Sequence, residues 1–458
     1  MKLEDKKRGS FSGKIGFVLS AAGASVGLGN IWRFPYLCAR YGGGIFLLVY
    51  IILALTFGYT MIIAETAVGR ATKKSPVGAF NELGKKNKLM TAGGWINAVI
   101  PILIVPYYSV IGGWVSKYLF EYIMGDINEI ASDSFFVDFI SDGSASELWF
   151  IVFAALTLGV IFMGVENGIE RVSKMMMPVL VVLAIVICIY SVTRPGALAG
   201  VAYLFIPNLK DFSIMTVVTA MGQMFYSLSI AMGILITFGS YMKKEVSIDS
   251  STVQVEIFDT AIAILASLMI IPAVFAFSGE DPGMLKAGPS LMFITMPKIF
   301  AQMGFGRIIG ILFFALVLFA AVTSAIALTE SAVSTFADEF GWSRRNATLF
   351  MAFVMIILGS LSSLGNGPLS GVTIFGMGFL DFFDFLTNSV MMPVAALATC
   401  VLVAKYMGIE RLREEVEQDG HPFGRSRIFG TMIRFICPIF IIIIFVSAIL
   451  NVLGLIQM

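Results

Sequence analysis

The chain of 458 residues is 58% apolar and only 13% charged, with 31 basic against 30 acidic side chains, a net charge of +1 and a mean hydropathy of +0.89. A water-soluble domain is about one quarter charged, so this balance excludes an ordinary soluble enzyme and indicates a polytopic membrane protein. One histidine, His421, leaves no material for histidine-ligated metal centres or for Ser-His-Asp and Cys-His catalysis, and the near-zero charge speaks against a nucleic-acid partner. Cys38, Cys188, Cys400 and Cys437 sit in apolar runs without CxxC spacing and read as small buried hydrophobes.

Crossing a bilayer takes about 20 helical residues. In chain order the stretches that qualify are Ile15 to Cys38, Gly44 to Val68, Thr91 to Tyr122, Leu148 to Gly164, Met175 to Val192, Phe212 to Tyr241, Gln254 to Phe277, Ile308 to Phe336, Ala347 to Leu364, Gly376 to Ala404, and Thr431 to Ile456. These are eleven expected spans. The basic leader, apolar run and small residues Ala22-Gly23-Ala24 imitate a cleavable signal peptide. The same residues are better explained as a retained, broken helix. Gly279 to Pro297 reads as an external loop with room for short helices.

Lys and Arg are retained on the cytoplasmic side. An N-terminus inside gathers Lys2, Lys6, Lys7 and Arg8 there with Arg70, Lys73, Lys74, Lys85, Lys86, Lys88, Lys243, Lys244, Arg344, Arg345, Arg411, Arg413, Arg425 and Arg427. The longest opposite loop, Gly125 to Glu147, has six acids and no Lys or Arg. Eleven spans then place the C-terminus outside.

Two spans carry interruptions. The first holds Gly23-Ala24-Ser25-Val26-Gly27-Leu28-Gly29-Asn30, where each Gly costs about 1 kcal/mol of helix stability relative to Ala. Small residues of this kind also serve close helix packing. A second interruption, Tyr226 to Gly233 in the sixth span, favours the broken-helix reading. Breaks in the first helix of each half indicate two five-helix repeats of inverted topology, with a binding site at mid-membrane. Free amides there hold a carboxylate and free carbonyls a cation. The division expected is residues 1–210, then 211–406 with an external loop at 279–305, then 407–458 with the last span.

The run Ser25-Val26-Gly27-Leu28-Gly29-Asn30-Ile31-Trp32-Arg33-Phe34-Pro35 resembles the signature of the neurotransmitter:sodium symporters. Further matches are Tyr41-Gly42-Gly43-Gly44, Glu65 with Gly69-Arg70, Tyr107-Tyr108, Gly168-Ile169-Glu170-Arg171, Gly222-Gln223 with Phe225 to Ser229, and Thr323-Ser324, so the likeness runs along the whole chain. It is strongest for the family's bacterial amino-acid transporters, those of leucine and tyrosine. The resemblance implies an all-α polytopic protein of the leucine-transporter-type fold, with helices 1 and 6 unwound at mid-membrane, and a sodium-coupled importer of amino acids. The number of spans, eleven, departs from the commoner twelve.

The resemblance also implies two sodium sites. One would use the backbone of Gly23, Val26 and Ala320 with the side chains of Thr323 and Ser324, uncharged oxygens that suit a monovalent hard cation. The other would use Ser25, Asn30, Ser227 and Asp259, completed by the cargo carboxylate. Eukaryotic relatives hold chloride beside this site, at positions matching Tyr50, Gln223, Ser227 and a serine that here is Ala263. Asp259 supplies a fixed negative charge in its place, so transport is expected to be independent of chloride.

Cargo would lie among Ala24, Ser25, Leu28, Gly29, Ile104, Tyr108, Tyr226, Ser227, Ser229, Met232, Ser324 and Leu328. None of these is charged, which implies a neutral amino acid. Small Ala24 and adaptable Met232 admit a large apolar or aromatic side chain, while Ala231, a frequent Gly in relatives, narrows the space. The resemblance implies an outer gate that pairs Arg33 with Asp384 across the vestibule, with Tyr108 and Tyr226 forming an aromatic lid. The inner gate would pair Arg8 with Asp338, assisted by Phe11, Tyr241 and Glu330. No catalytic residue, organic cofactor or transition metal is expected. The partners expected are the amino acid and the lipid of a bacterial inner membrane, with self-pairing as a homodimer left open. Proton coupling through Asp259 or Glu65, and an amino-acid-gated channel or sensor on the same scaffold, are the rival readings.

Overall fold

Long runs of Leu, Ile, Val, Phe and Ala have one way to satisfy their backbone in hydrocarbon without forming a closed barrel, and that is the helix. The computed structural model describes residues 9–278, 289–452 and 455. Its elements are α1 (Lys14–Ser25), α2 (Gly29–Arg40), α3 (Gly44–Thr72), α4 (Lys88–Met124), α5 (Gly143–Phe162), α6 (Val165–Val192), α7 (Ile214–Ser227), α8 (Ile234–Tyr241), α9 (Ile248–Ser278), α10 (Gly306–Phe340), α11 (Arg344–Leu364), α12 (Phe379–Met407) and α13 (Ser426–Val452). Among the described residues nine helices are long and apolar enough to span a membrane, and α1 with α2 forms a tenth span bent by 55°. The pair α7 and α8, separated by residues 228–233, occupies the stretch of the sixth expected span.

The stretch read as an external loop at Gly279 to Pro297 is described from residue 289 onward, and there it is helical, as Leu291–Thr295 and Met296–Gln302. The expected division at 210/211 falls in the short turn Leu209–Asp211, and that at 406/407 falls at the last residue of α12.

The centre of the bundle is built around α1, which packs on α6, α9 and α10. Glycines set how closely the broken spans approach their neighbours. A Cβ at Gly69 of α3 would overlap the carbonyl of Ile236 in α8, and one at Gly239 of α8 would overlap the carbonyl of Thr66 in α3. The two helices therefore touch backbone to backbone along the lower half of the sixth span. Gly69→Val is expected to lower the stability of the purified protein by about 3 kcal/mol through this overpacking. A thermal melt indistinguishable from wild type would remove the contact from the account.

Candidate functional site

Both breaks occur where the sequence weakens the helix. In the first span the helix stops at Ser25, Val26 turns extended (φ −72, ψ 100), and helix resumes at Gly29. The break is narrower than the Gly23 to Asn30 run that suggested it. In the sixth span the chain leaves the helix after Ser227 and passes through Ser229 (φ 53), Ala231 (φ 60) and Gly233 (φ 69) before α8 begins. Two non-glycine residues in the left-handed region are locally strained and persist only where their surroundings hold them. Part of that support is visible: the Glu65 carboxylate accepts the Ala231 amide at 2.8 Å, and Ser229 Oγ donates to the Ala24 carbonyl at 3.0 Å.

The residues expected at one sodium site converge. Ser324 Oγ lies 3.2 Å from the carbonyls of Gly23, Ala24 and Val26, all freed by the first break. Thr323 Oγ1 donates to Phe319 and Ala320 carbonyls on its own helix (3.0 and 3.2 Å), and its Cβ lies 3.1 Å from where a side chain at Gly23 would begin. Those approaches leave the cluster uncharged and rich in oxygen, a donor set that fits a sodium ion.

At the second group Asp259 of α9 is the hub. Its Oδ1 accepts from Asn30 Nδ2 and Ser227 Oγ, each at 2.8 Å, and its Oδ2 accepts from Tyr50 at 2.9 Å. Ser25 Oγ is buried and takes no hydrogen bond from the described residues. Asn30 is itself oriented, accepting the Gly27 amide at 3.1 Å. Gln223 donates to the Gly29 carbonyl at 3.0 Å, while its own Oε1 has no partner among the described residues. Ala263, one turn beyond Asp259, is fully buried and contributes only a methyl group. The Asp259 carboxylate with the Ser227 hydroxyl beside it supplies oxygens that fit a sodium ion, while Asn30 turns its Nδ2 toward Asp259 and its Oδ1 toward the Gly27 amide.

Between the two groups lies a cavity of about 30 Å³, lined by all the residues expected to meet cargo together with Gly27. Such a volume is on the order of a single water, so the walls stand nearly closed. Tyr108 Oη lies 3.5 Å from the freed Leu28 amide, and the Tyr226 ring covers Gly29, where a Cβ would stand 2.7 Å from it. The lining has amides and a phenol at one edge, carbonyls and hydroxyls at another, and apolar side chains from Ala24, Ile104, Met232 and Leu328 elsewhere.

Beyond the Tyr226 side of the cavity, Arg33 and Asp384 do not form a direct ion pair. Arg33 lies over the Tyr226 ring, 5.4 Å from its centroid, and Asp384 accepts from Asn388 at 2.6 Å and from Tyr107 at 3.3 Å. At the opposite end Arg8 lies outside the described residues, and Asp338 accepts the Ser75 amide at 2.7 Å. The sequence placed Tyr241 and Glu330 at this end but not the cation that Glu330 meets. Arg344 grips Glu330 with both terminal nitrogens (3.0 and 2.6 Å) and donates Nε to the Ile161 carbonyl, while Tyr241 donates to the same carboxylate at 2.7 Å. Its signal was available: a carboxylate within an apolar helix needs a partner, and Arg344 begins the next helix. Phe11 closes this end against Phe17, Phe238 and Tyr241, its amide donating to the Tyr241 carbonyl at 3.1 Å.

Broken spans, freed backbone groups and closures above and below them define a multi-pass membrane transporter. The sequence profile of the sodium:neurotransmitter symporter family matches residues 8–134 and 136–456, and the chain belongs to that family. It is 32% identical to an uncharacterised sodium-dependent transporter, YhdH, of Bacillus subtilis strain 168, over 99% of this chain and 100% of the relative. The human sodium- and chloride-dependent GABA transporter 2 is 26% identical, over 90% of this chain and 75% of its own. Among solved structures, MhsT in complex with L-phenylalanine superimposes with a TM-score of 0.86 at 37% identity, covering 96% of this chain and 100% of that one. The protein is thus a sodium-dependent symporter with the leucine-transporter-type helical fold.

Proposed function

We propose that the protein imports a neutral, large hydrophobic or aromatic L-amino acid together with two sodium ions, without chloride. The observation that carries this reading is the uncharged cavity between the two breaks, with an oxygen cluster on either side. The cargo carboxylate meets the Leu28 and Gly29 amides and the Tyr108 hydroxyl, and completes the sodium site of Ser25, Asn30, Ser227 and Asp259. Its ammonium meets the Ser25 and Tyr226 carbonyls and Ser229. The second ion sits on Gly23, Val26, Ala320, Thr323 and Ser324. Its likeness to MhsT bound to L-phenylalanine supports a hydrophobic cargo. A cavity of about 30 Å³ must widen to take one, and Met232 and Tyr226 are the side chains whose rotation widens it.

Asp259 takes the electrostatic place of chloride, since Ala263 offers no hydroxyl to an anion. The N-terminus faces the cytoplasm of a bacterial inner membrane and the C-terminus the exterior, in accord with the clustering of Lys and Arg. The repeats at 1–210 and 211–406 rock about the central sites, with Arg33, Tyr107, Asp384 and Tyr226 closing the outer side and Tyr241, Glu330, Arg344, Asp338 and Arg8 the inner. Each sodium entering down about 100 mV and a tenfold gradient releases about 2.3 and about 1.4 kcal/mol. Two ions therefore sustain an accumulation of about 10⁵-fold.

Proteoliposomes loaded with a sodium gradient and offered a panel of amino acids test the reading. Large neutral amino acids are expected to compete for uptake while Asp, Glu, Lys and Arg do not. Choline in place of sodium should stop uptake, and gluconate in place of chloride should leave it unchanged. Competition by a charged amino acid, or chloride stimulation at clamped potential, would overturn it.

A further inference from the structure

A carboxylate that this account of transport leaves unused lies one turn toward the cytoplasm from Asp259. Glu256 of α9 is 4% exposed, and its Oε1 is buried without a hydrogen bond from any described residue. It rests against α3, where a Cβ at Gly58 would stand 3.5 Å from Oε1. The ionisable groups facing it are Asp249 and Asp259 on α9, Tyr50 and Tyr59 on α3, and Arg425 just ahead of α13. Arg425 is the one cation in that set, and it is turned onto the Tyr59 ring at 4.9 Å, while Tyr59 donates to Asp249 at 2.6 Å.

Asp249, Val253, Glu256 and Asp259 recur at helical spacing and so follow one face of α9. At 1.5 Å per residue the step from Asp249 to Glu256 is about 10 Å and that from Glu256 to Asp259 about 4.5 Å. At the foot of this face opens a pocket of about 300 Å³ lined by Asp249, Val253, Asp419, His421, Phe423 and Arg425. The stripe thus leads from a polar pocket at the cytoplasmic surface toward the sodium site, and Glu256 within it has an oxygen that no described residue hydrogen-bonds. Val253, between Asp249 and Glu256 on this face, lines the pocket while Glu256 itself lies behind it, and intramembrane carboxylates mark ion pathways and proton relays.

We propose that Glu256 is a proton-binding site, filled from the cytoplasmic pocket, whose occupancy is linked to sodium at the Asp259 site. The inference rests on the assignment of Asp259 as a sodium ligand. A sodium ion one turn away favours the ionised carboxylate, so its arrival expels the proton from Glu256 to water in the pocket. By reciprocity a proton on Glu256 weakens sodium binding by the same factor. The sign is that acid lowers sodium affinity, by up to about tenfold per pH unit for one fully competing proton.

Binding of radioactive sodium to the full-length chain in nanodiscs, with choline balancing ionic strength, tests this across a range of pH. The wild type is expected to need more sodium for half-saturation as pH falls, by about 3- to 10-fold per unit, and Glu256→Gln to vary by less than about twofold. Arg425→Gln, which removes the cation favouring the ionised carboxylate, should move the sensitive window to higher pH. A wild type without the slope, or a Glu256→Gln variant that keeps it, overturns the proposal. If the Gln variant fails to bind sodium at any pH, Glu256→Asp decides: a retained slope supports the proposal and a flat one overturns it. Sodium binding unaltered by Asp259→Asn would instead sink the assignment of Asp259, whatever the slope.

Discussion

Asp259→Ala is expected to lower sodium-driven uptake by more than about 10²-fold. Asn30, Ser227 and Tyr50 all donate to this carboxylate, and its removal leaves three buried donors without their acceptor, at about 1–3 kcal/mol each. The fixed negative charge proposed to hold the first sodium ion goes with it. Asp259→Asn separates the two effects, because the amide keeps the shape and one accepting oxygen but not the charge. Uptake by the Asn variant should be low in gluconate and rise when chloride is supplied at constant membrane potential. Adding Ala263→Ser, which restores a hydroxyl one turn along α9, should increase that chloride stimulation. Wild-type uptake by the Ala variant would remove Asp259 from the transport site.

Tyr108→Phe is expected to weaken cargo binding by about 10- to 100-fold, the loss of one hydrogen bond to a charged group at about 1.5–3 kcal/mol. The hydroxyl lies at the cavity edge beside the Leu28 amide, and the ring remains to fill the space. Sodium binding at the Asp259 side, measured without cargo, should change little, since Tyr108 touches none of the ligands proposed there; its hydroxyl meets Ser324 of the other cluster instead. Equal loss of sodium and cargo binding would mean that the ring positions the whole centre and that its hydroxyl does not bind the carboxylate.

The eleven expected spans coincide with the helical elements because hydrocarbon permits few backbone solutions, and length and apolarity are read directly from the residues. The breaks were legible from Gly23, Gly27 and Gly29, whose low helix propensity acts locally. Ser229 and Ala231 gave no such signal, for neither residue type favours a positive φ. Their conformation is upheld by Ala24 and Glu65, which are distant in sequence. Much of the cavity lining was readable because the motifs that resemble the family fall on Ser25, Leu28, Gly29, Tyr108, Tyr226, Ser227, Ser229 and Ser324. Contacts between side chains were less so. Arg33 is poised over Tyr226 and not against Asp384, an outcome that depends on where Tyr107 and Asn388 place their donors. Likewise Glu330 announced its need for a cation, but the choice of Arg344 depends on the turn between α10 and α11.

Both proposed ion clusters, and the space between them, join peptide groups released where two helices stop to side chains of the unbroken helices α4, α9 and α10. Helical continuity and ligand geometry are therefore a single variable. A swing that realigns Ser25 with Gly29, or rotates the segment around Ala231, alters part of both clusters and of the cavity wall at the same moment. Stoichiometric coupling then needs no signal carried across the molecule, because the ions and their companion are held by the same few hinge peptides and let go together.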